Sequence, residues 1–99
     1  MTVTESMASM KIVSRGRYGD LIYREQDNEL VCAWEFLAGD CLAVVFLPDV
    51  LPAWVSQNLA NVMHNIAEYV IRTQAPLHTA VIDERDRSIT IRRPSEGPR

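Results

Sequence analysis

The sequence predicts an α+β fold, in which an antiparallel β-meander of three to four strands leads into one long amphipathic helix and a C-terminal β-hairpin. Three observations support this fold class. Strand-forming runs alternate with short turns over residues 21–47, and apolar residues recur every three or four positions over residues 55–70. Two short β-branched runs then flank a charged turn near the end of the chain.

The meander is predicted from runs rich in aromatic and β-branched residues at 21–25, 30–37 and 41–47. A shorter strand at 10–14 and a glycine-punctuated loop at 15–20 precede them. Short turns at the two junctions join the three runs as antiparallel neighbours.

The predicted register pairs Gln26 with Glu29 and Leu37 with Cys41. Since side chains alternate between the faces of a strand, this register collects one large apolar face. That face comprises Leu21, Tyr23, Leu30, Cys32, Trp34, Phe36, Leu42, Val44 and Phe46. The second face comprises Ile22, Arg24, Val31, Ala33, Glu35, Cys41, Ala43 and Val45. Because the second face is half apolar, we expect the C-terminal hairpin, a second subunit or a partner to cover it.

The helix is predicted from a stripe of apolar residues that follows Pro48 and Pro52. The stripe comprises Val55, Leu59, Val62, Met63, Ile66 and Val70. Asp49 or Ser56 is expected to cap the helix, and Pro76 ends it just after residues 73–74. Residues 77–83 and 88–92 then form the hairpin, with Ala80, Ile82, Ile89 and Ile91 on one face.

One domain spans residues 10–93, and the polar or proline-containing ends at 1–9 and 94–99 are expected to be disordered. No run approaches the roughly 20 apolar residues of a membrane span. The N-terminus lacks the basic and apolar regions of a signal peptide, which predicts a cytoplasmic protein. Cys32 and Cys41 are expected to be free thiols rather than a disulfide framework or a metal site.

The sequence carries no motif that commits it to a reaction, so we expect a protein that is not an enzyme and uses no cofactor. No Gly-x-Ser-x-Gly elbow is present, and a Cys32 buried in the core would be protected from reaction. His64 and Glu68 are four residues apart on the helix and offer two metal ligands at most, so a solvated pair is favoured. No catalytic or metal-binding residue is assigned.

The outer side of the helix is polar but nearly uncharged, whereas a solvated helix face usually carries charged residues. Neutral amides both donate and accept hydrogen bonds, which suits recognition of a protein partner. Trp54 fits either the core or an exposed binding surface. The candidate partner-binding residues are Trp54, Gln57, Asn58, Asn61, His64 and Asn65.

The runs at 21–25, 35–39 and 44–47, with Trp54 ahead of the helix, resemble small bacterial immunity proteins of polymorphic toxin systems. The resemblance covers about half of the chain and rests on pattern. It implies a cytoplasmic protein that binds and blocks a toxin, and it carries over no individual site residue.

A second resemblance concerns architecture. A meander followed by one helix is similar to the single-stranded nucleic-acid-binding modules of the transcriptional-coactivator and Pur type, which dimerise. The residues available for such a groove are Arg15, Arg17, Tyr18, Arg24, Arg92 and Arg93. The net charge of −3 and the pI near 5.3 count against this alternative. The sequence thus favours a protein-interaction module, with self-association through the second face or the helix.

Overall fold

The computed structural model describes residues 8–37 and 41–94. Its elements are β1 (Ala8–Arg15), β2 (Tyr18–Glu25), β3 (Asn28–Phe36), β4 (Cys41–Phe46), α1 (Ala53–Ser56), α2 (Leu59–Gln74), β5 (Thr79–Asp83) and β6 (Ser88–Arg92). The predicted α+β fold is confirmed, with β1 starting two residues before the predicted first strand. Most of the two predicted disordered ends lies outside the described residues.

The described strands form one antiparallel sheet in the order β1-β2-β3-β4-β6-β5. The C-terminal hairpin, whose strands begin and end close to the predicted positions, therefore extends the sheet beside β4. The hairpin therefore does not cover the second face of the meander. Such a cover was one of the three predicted possibilities. No helix in the described part of the chain is long and apolar enough to cross a membrane.

Helix α2 packs on one face of this sheet, which we call the inner face. Its buried residues are Val62, Met63, Ile66, Ala67 and Val70, most of them from the predicted stripe. The inner face contributes Leu21, Tyr23, Leu30, Cys32, Trp34, Ala43, Val45, Ile89 and Ile91, all buried. Burial of each large side chain stabilises the fold by roughly 1.5–3 kcal/mol. The opposite side of the sheet is called the outer face.

The register of β2 and β3 differs from the predicted one by two residues. Glu25 pairs with Asn28, so the turn consists of Gln26 and Asp27, with Gln26 at a positive φ of 57°. A shift of two residues leaves every side chain on its predicted face. The observed register also places Arg24 opposite Glu29, with 2.8 Å between Arg24 Nε and Glu29 Oε1.

The register of β4 differs by one residue, and this reverses its two faces. The backbone N–H of Leu37 donates to the carbonyl oxygen of Leu42 at 2.9 Å, so the connection has one residue more than predicted. Val45 consequently pairs with Trp34 and is fully buried, whereas Phe46 is 42% exposed on the outer face. The prediction that Val44 and Phe46 share a face with Trp34 was wrong, whereas Leu42, beside the irregularity between Cys41 and Ala43, does pack against the core. The predicted turn at 38–40 lies outside the described residues.

Residues 15–20 form a tight hairpin rather than the predicted loop. Arg15 pairs with Tyr18, which leaves only Gly16 and Arg17 in the turn. Gly16 has φ +70°, a conformation that glycine adopts without steric cost. A Cβ at Gly19 would collide with the carbonyl oxygen of Val13, so this glycine allows the close approach of β1 and β2.

The predicted helix is interrupted after Ser56. Neither predicted cap is used, because Pro52 precedes α1 and Asn58 precedes α2, both without a side-chain capping bond. The hydroxyl of Ser56 instead donates to the carbonyl of Ala53 at 3.2 Å, a local side-chain bond that competes with regular helix geometry. The C-terminal end of α2 at Gln74 agrees with the prediction.

The observed β4 register predicts unequal effects of the same substitution at two valines. Val45→Thr places a hydroxyl in the core and should lower the free energy of unfolding by about 1–3 kcal/mol. Val81→Thr is the matched control, since Val81 is 48% exposed on the outer face of β5. Urea denaturation of both variants at low protein concentration measures the difference. A cost at Val45 as small as that at Val81 would contradict the observed β4 register.

Candidate functional site

A polar concavity of about 440 Å³ lies between α2 and the turn that joins β2 to β3. We call it the amide pocket. Its lining residues are Glu25, Asn28, Trp54, Asn58, Asn61, Val62 and Asn65. Four of these residues are asparagines, and Glu25 is the one charged residue among them. The pocket therefore combines a single carboxylate with neutral hydrogen-bonding groups.

Tyr23 lies beneath the pocket and links the helix to the sheet. Asn65 Nδ2 donates to the Tyr23 hydroxyl at 3.1 Å, and that hydroxyl donates to Glu25 Oε1 at 2.9 Å. Burial, opposed by the Asn65 hydrogen bond and assisted by Glu25, raises the pKa of Tyr23 above its usual value of 10. The hydroxyl thus stays protonated at neutral pH and fixes the direction of the chain of hydrogen bonds.

Trp54 lines the pocket as a half-buried side chain rather than a fully buried anchor. Its ring stacks on that of Tyr23, with 6.2 Å between ring centroids and 11° between ring planes. Asn58 Nδ2 donates to the backbone carbonyl of Trp54 at 3.2 Å. These contacts hold an aromatic ring and an amide in place at the rim, which reduces the conformational entropy lost on binding.

The structure brings together four of the six predicted partner-binding residues, namely Trp54, Asn58, Asn61 and Asn65. Gln57 and His64 are exposed but do not line the amide pocket. Glu25 and Asn28 line it and were missed. Glu25 and Asn28 flank the turn between β2 and β3, so their place at one end of the sheet could have been expected from the sequence. Which helix residues lie against this end depends on long-range packing, which the sequence pattern does not specify.

His64 lies on the other flank of α2. It pairs with Glu68, with 3.2 Å between His64 Nε2 and Glu68 Oε2, and both side chains are more than half exposed. This arrangement agrees with a solvated pair. Within residues 8–37 and 41–94, no group of three or more His, Cys, Asp or Glu side chains is placed to hold a metal ion.

The outer face of the sheet is a second candidate surface, and it is rich in exposed apolar side chains. Those more than a third exposed are Val13, Tyr18, Val31, Phe46 and Val81. The strand pairings place Ile22 opposite Val31 and Ala33 opposite Phe46 at the centre of this face. Exposed apolar side chains gathered on one sheet face mark an interaction surface more often than side chains scattered over the whole surface do.

The charges of the outer face balance. Within the described strands, the basic residues on this face are Lys11, Arg15, Arg24 and Arg92, and the acidic residues are Asp20, Glu29, Glu35 and Asp83. Two exposed ion pairs, Arg15 with Asp20 and Arg24 with Glu29, contribute little to stability. They do reduce the positive potential that each arginine presents to a ligand.

The structure does not gather the arginines of the nucleic-acid alternative into one groove. Arg15 and Tyr18 are neighbours across β1 and β2, and Arg17 lies in the turn between them. Arg24 lies six residues along β2 from Tyr18, which is about 20 Å. Arg92 and Arg93 lie at the end of β6, separated from β2 by β3 and β4.

The thiol of Cys32 is free and fully buried on the inner face, as predicted. Burial raises its pKa from 9.0 to about 12. A thiol protonated at neutral pH is a poor nucleophile, so Cys32 is part of the core rather than of a reactive site. The side chain of Cys41 lies outside the described residues.

Comparison with protein-family models, with curated proteins and with solved structures gives no match. The resemblance to immunity proteins therefore stays a prediction from sequence.

The raised pKa of Cys32 predicts a loss of stability at alkaline pH. The folded chain retains the thiol proton up to about pH 12, whereas the unfolded chain releases it near pH 9, so stability present below pH 9 falls between these values. The slope is about 1.4 kcal/mol per pH unit, or about 2 kcal/mol between pH 8 and pH 10.5.

Urea denaturation of the natural chain and of Cys32→Ala at both pH values isolates this contribution, because all other titrating groups are shared. The free energy of unfolding of Cys32→Ala should fall by about 2 kcal/mol less than that of the natural chain. Equal pH dependence in the two proteins would show that the thiol ionises as readily in the folded state as in the unfolded one.

Proposed function

We propose that this protein is a non-enzymatic protein-interaction module that self-associates through the outer face of its sheet. The observation that carries the proposal is the distribution of exposed apolar residues. Five of the seven exposed large hydrophobic residues in the described chain lie on this one face, and the other two, Val50 and Leu77, lie in connecting segments. A sheet face meant only for water generally carries polar residues instead.

A second copy of the chain fits this face better than a strongly charged partner does. With four basic and four acidic residues, the face is neutral although the whole chain carries a net charge of −3. Two neutral faces approach without the repulsion that like charges produce across an interface. Opposite charges on the two copies can also pair at the edge of the contact, where they fix the register of the sheets.

The partner class implied by the immunity-protein resemblance is a toxin in the cytoplasm of a bacterium. If the outer face is occupied by self-association, a toxin must bind a different surface of the protein. The amide pocket is such a surface, because it lies on the helix side of the sheet. We therefore assign self-association to the outer face and binding of other molecules to the helix side.

Sedimentation equilibrium tests the self-association. The natural chain should form a dimer at about 100 µM, and Phe46→Ser should raise the dimer dissociation constant at least tenfold, which is about 1.4 kcal/mol. Phe46 is chosen because its side chain is 42% exposed at the centre of the face, so its truncation leaves the core intact.

Val50→Ser is the control, since Val50 is 85% exposed outside the sheet and should leave the dissociation constant unchanged. Val31→Lys is a second disrupting variant that adds a charge beside the Phe46 position. A natural chain that stays monomeric at 500 µM contradicts the proposal. Recovery of nucleic acid that is released steeply by moderate salt would favour the arginine-based alternative instead.

A further inference from the structure

We propose that the amide pocket binds a cationic group, a guanidinium or an ammonium, contributed by another molecule. This goes beyond self-association and concerns the opposite side of the sheet. The pocket offers one carboxylate, from Glu25, and no basic residue among its described lining residues. A concavity with a single negative charge and otherwise neutral walls favours a cation over an anion.

Within the described residues, the hydrogen bonds around the pocket leave side-chain oxygens available to accept from a ligand. Asn65 and Asn58 each donate one side-chain N–H to the protein, to the Tyr23 hydroxyl and to the Trp54 carbonyl. Within residues 8–37 and 41–94, neither amide oxygen accepts a hydrogen bond. Glu25 uses Oε1 to accept from Tyr23, and no donor within the same residues bonds to its Oε2.

Within the described residues the asparagine amides keep N–H groups as well as oxygens, so it is the carboxylate of Glu25 that selects a ligand rich in hydrogen-bond donors. Guanidinium and ammonium groups carry several N–H donors and no acceptor. A guanidinium bonds well to a carboxylate, and its planar shape also suits contact with an aromatic ring. Trp54 supplies such a ring at the pocket wall, and the indole face attracts cations more strongly than the other aromatic side chains do.

The position of the carboxylate is fixed before the ligand arrives. Tyr23 is buried, its ring is stacked on Trp54, and its hydroxyl holds Glu25 at 2.9 Å. The same hydroxyl is anchored from α2 by Asn65 at 3.1 Å. A preorganised acceptor loses less conformational entropy on binding than a mobile surface glutamate does. This distinguishes Glu25 from exposed carboxylates such as Glu84.

The test is an NMR titration of the full chain with N-acetyl-arginine N-methylamide. Saturable shifts are expected at the Trp54 indole N–H and at the side-chain amides of Asn58, Asn61 and Asn65. N-acetyl-citrulline N-methylamide has nearly the same shape without the charge and should bind at least tenfold more weakly. Equal binding of the two probes would overturn the proposal.

Two variants locate the effect. Glu25→Gln should weaken binding of the arginine probe at least tenfold. Glu29→Gln removes the same charge from the outer face and should leave the affinity unchanged, so it controls for the net charge of the protein. Equal affinity losses in the two variants, or no loss in Glu25→Gln, would overturn the assignment to the amide pocket.

The source of the cation is distinguished by comparing the capped arginine with n-propylguanidinium. Tighter binding of the capped arginine supports a basic side chain of a protein partner, whereas tighter binding of the small cation supports a free amine or guanidine. Sedimentation of Glu25→Gln should match that of the natural chain. Failure of the cation-binding proposal therefore leaves the proposed self-association intact. Failure of the self-association proposal likewise leaves the cation-binding proposal intact.

Discussion

The packing of α2 on a single face of the sheet is the contact on which the other features of the structure depend. α2 is the only helix longer than four residues in the described chain, and its apolar stripe packs against the inner face. Trp34, Tyr23 and Leu21 are consequently buried, and their strand neighbours project to the opposite side. Because the described residues contain no second helix longer than four residues to cover it, the outer face keeps its apolar side chains exposed.

This one-sided packing also explains where the sequence is informative. Buried and more exposed side chains alternate clearly along β2 and β3, with Tyr23, Cys32 and Trp34 on the buried face. A register error of two residues in this hairpin therefore had no consequence for the assignment of faces. The apolar stripe of α2 was equally easy to predict, because the opposite side of the helix is clearly polar.

The sequence is uninformative in β4 for a physical reason. Residues 42–47 are apolar throughout, so either alternation produces an apolar inner face. The choice depends on the length of the connection that follows Leu37 and on the pairing of β4 with β6, which includes an irregularity between Cys41 and Ala43. Sequence pattern does not specify pairing with a strand more than forty residues away.

The amide pocket was half predictable for a related reason. Asn58, Asn61 and Asn65 recur at helical spacing, so their common face follows from local geometry. Glu25 joins them only because Tyr23 and Asn65 meet across 42 positions of the chain. The scarcity of charged residues on the helix was the feature of the sequence that indicated a binding surface. The carboxylate that makes the pocket negative, Glu25, comes from the sheet instead.

The two proposed surfaces lie on opposite sides of one sheet, and this has a consequence for how the protein binds. Face-to-face packing of two sheets separates them by about 10 Å and leaves both copies of α2 on the outside. A dimer of this kind presents two amide pockets that point away from the interface. A partner with two suitably spaced basic groups then gains effective concentration from the second contact, provided that its length spans both pockets. Disruption of the outer face by Phe46→Ser should remove this gain while the affinity of each separate pocket for a single cation stays the same.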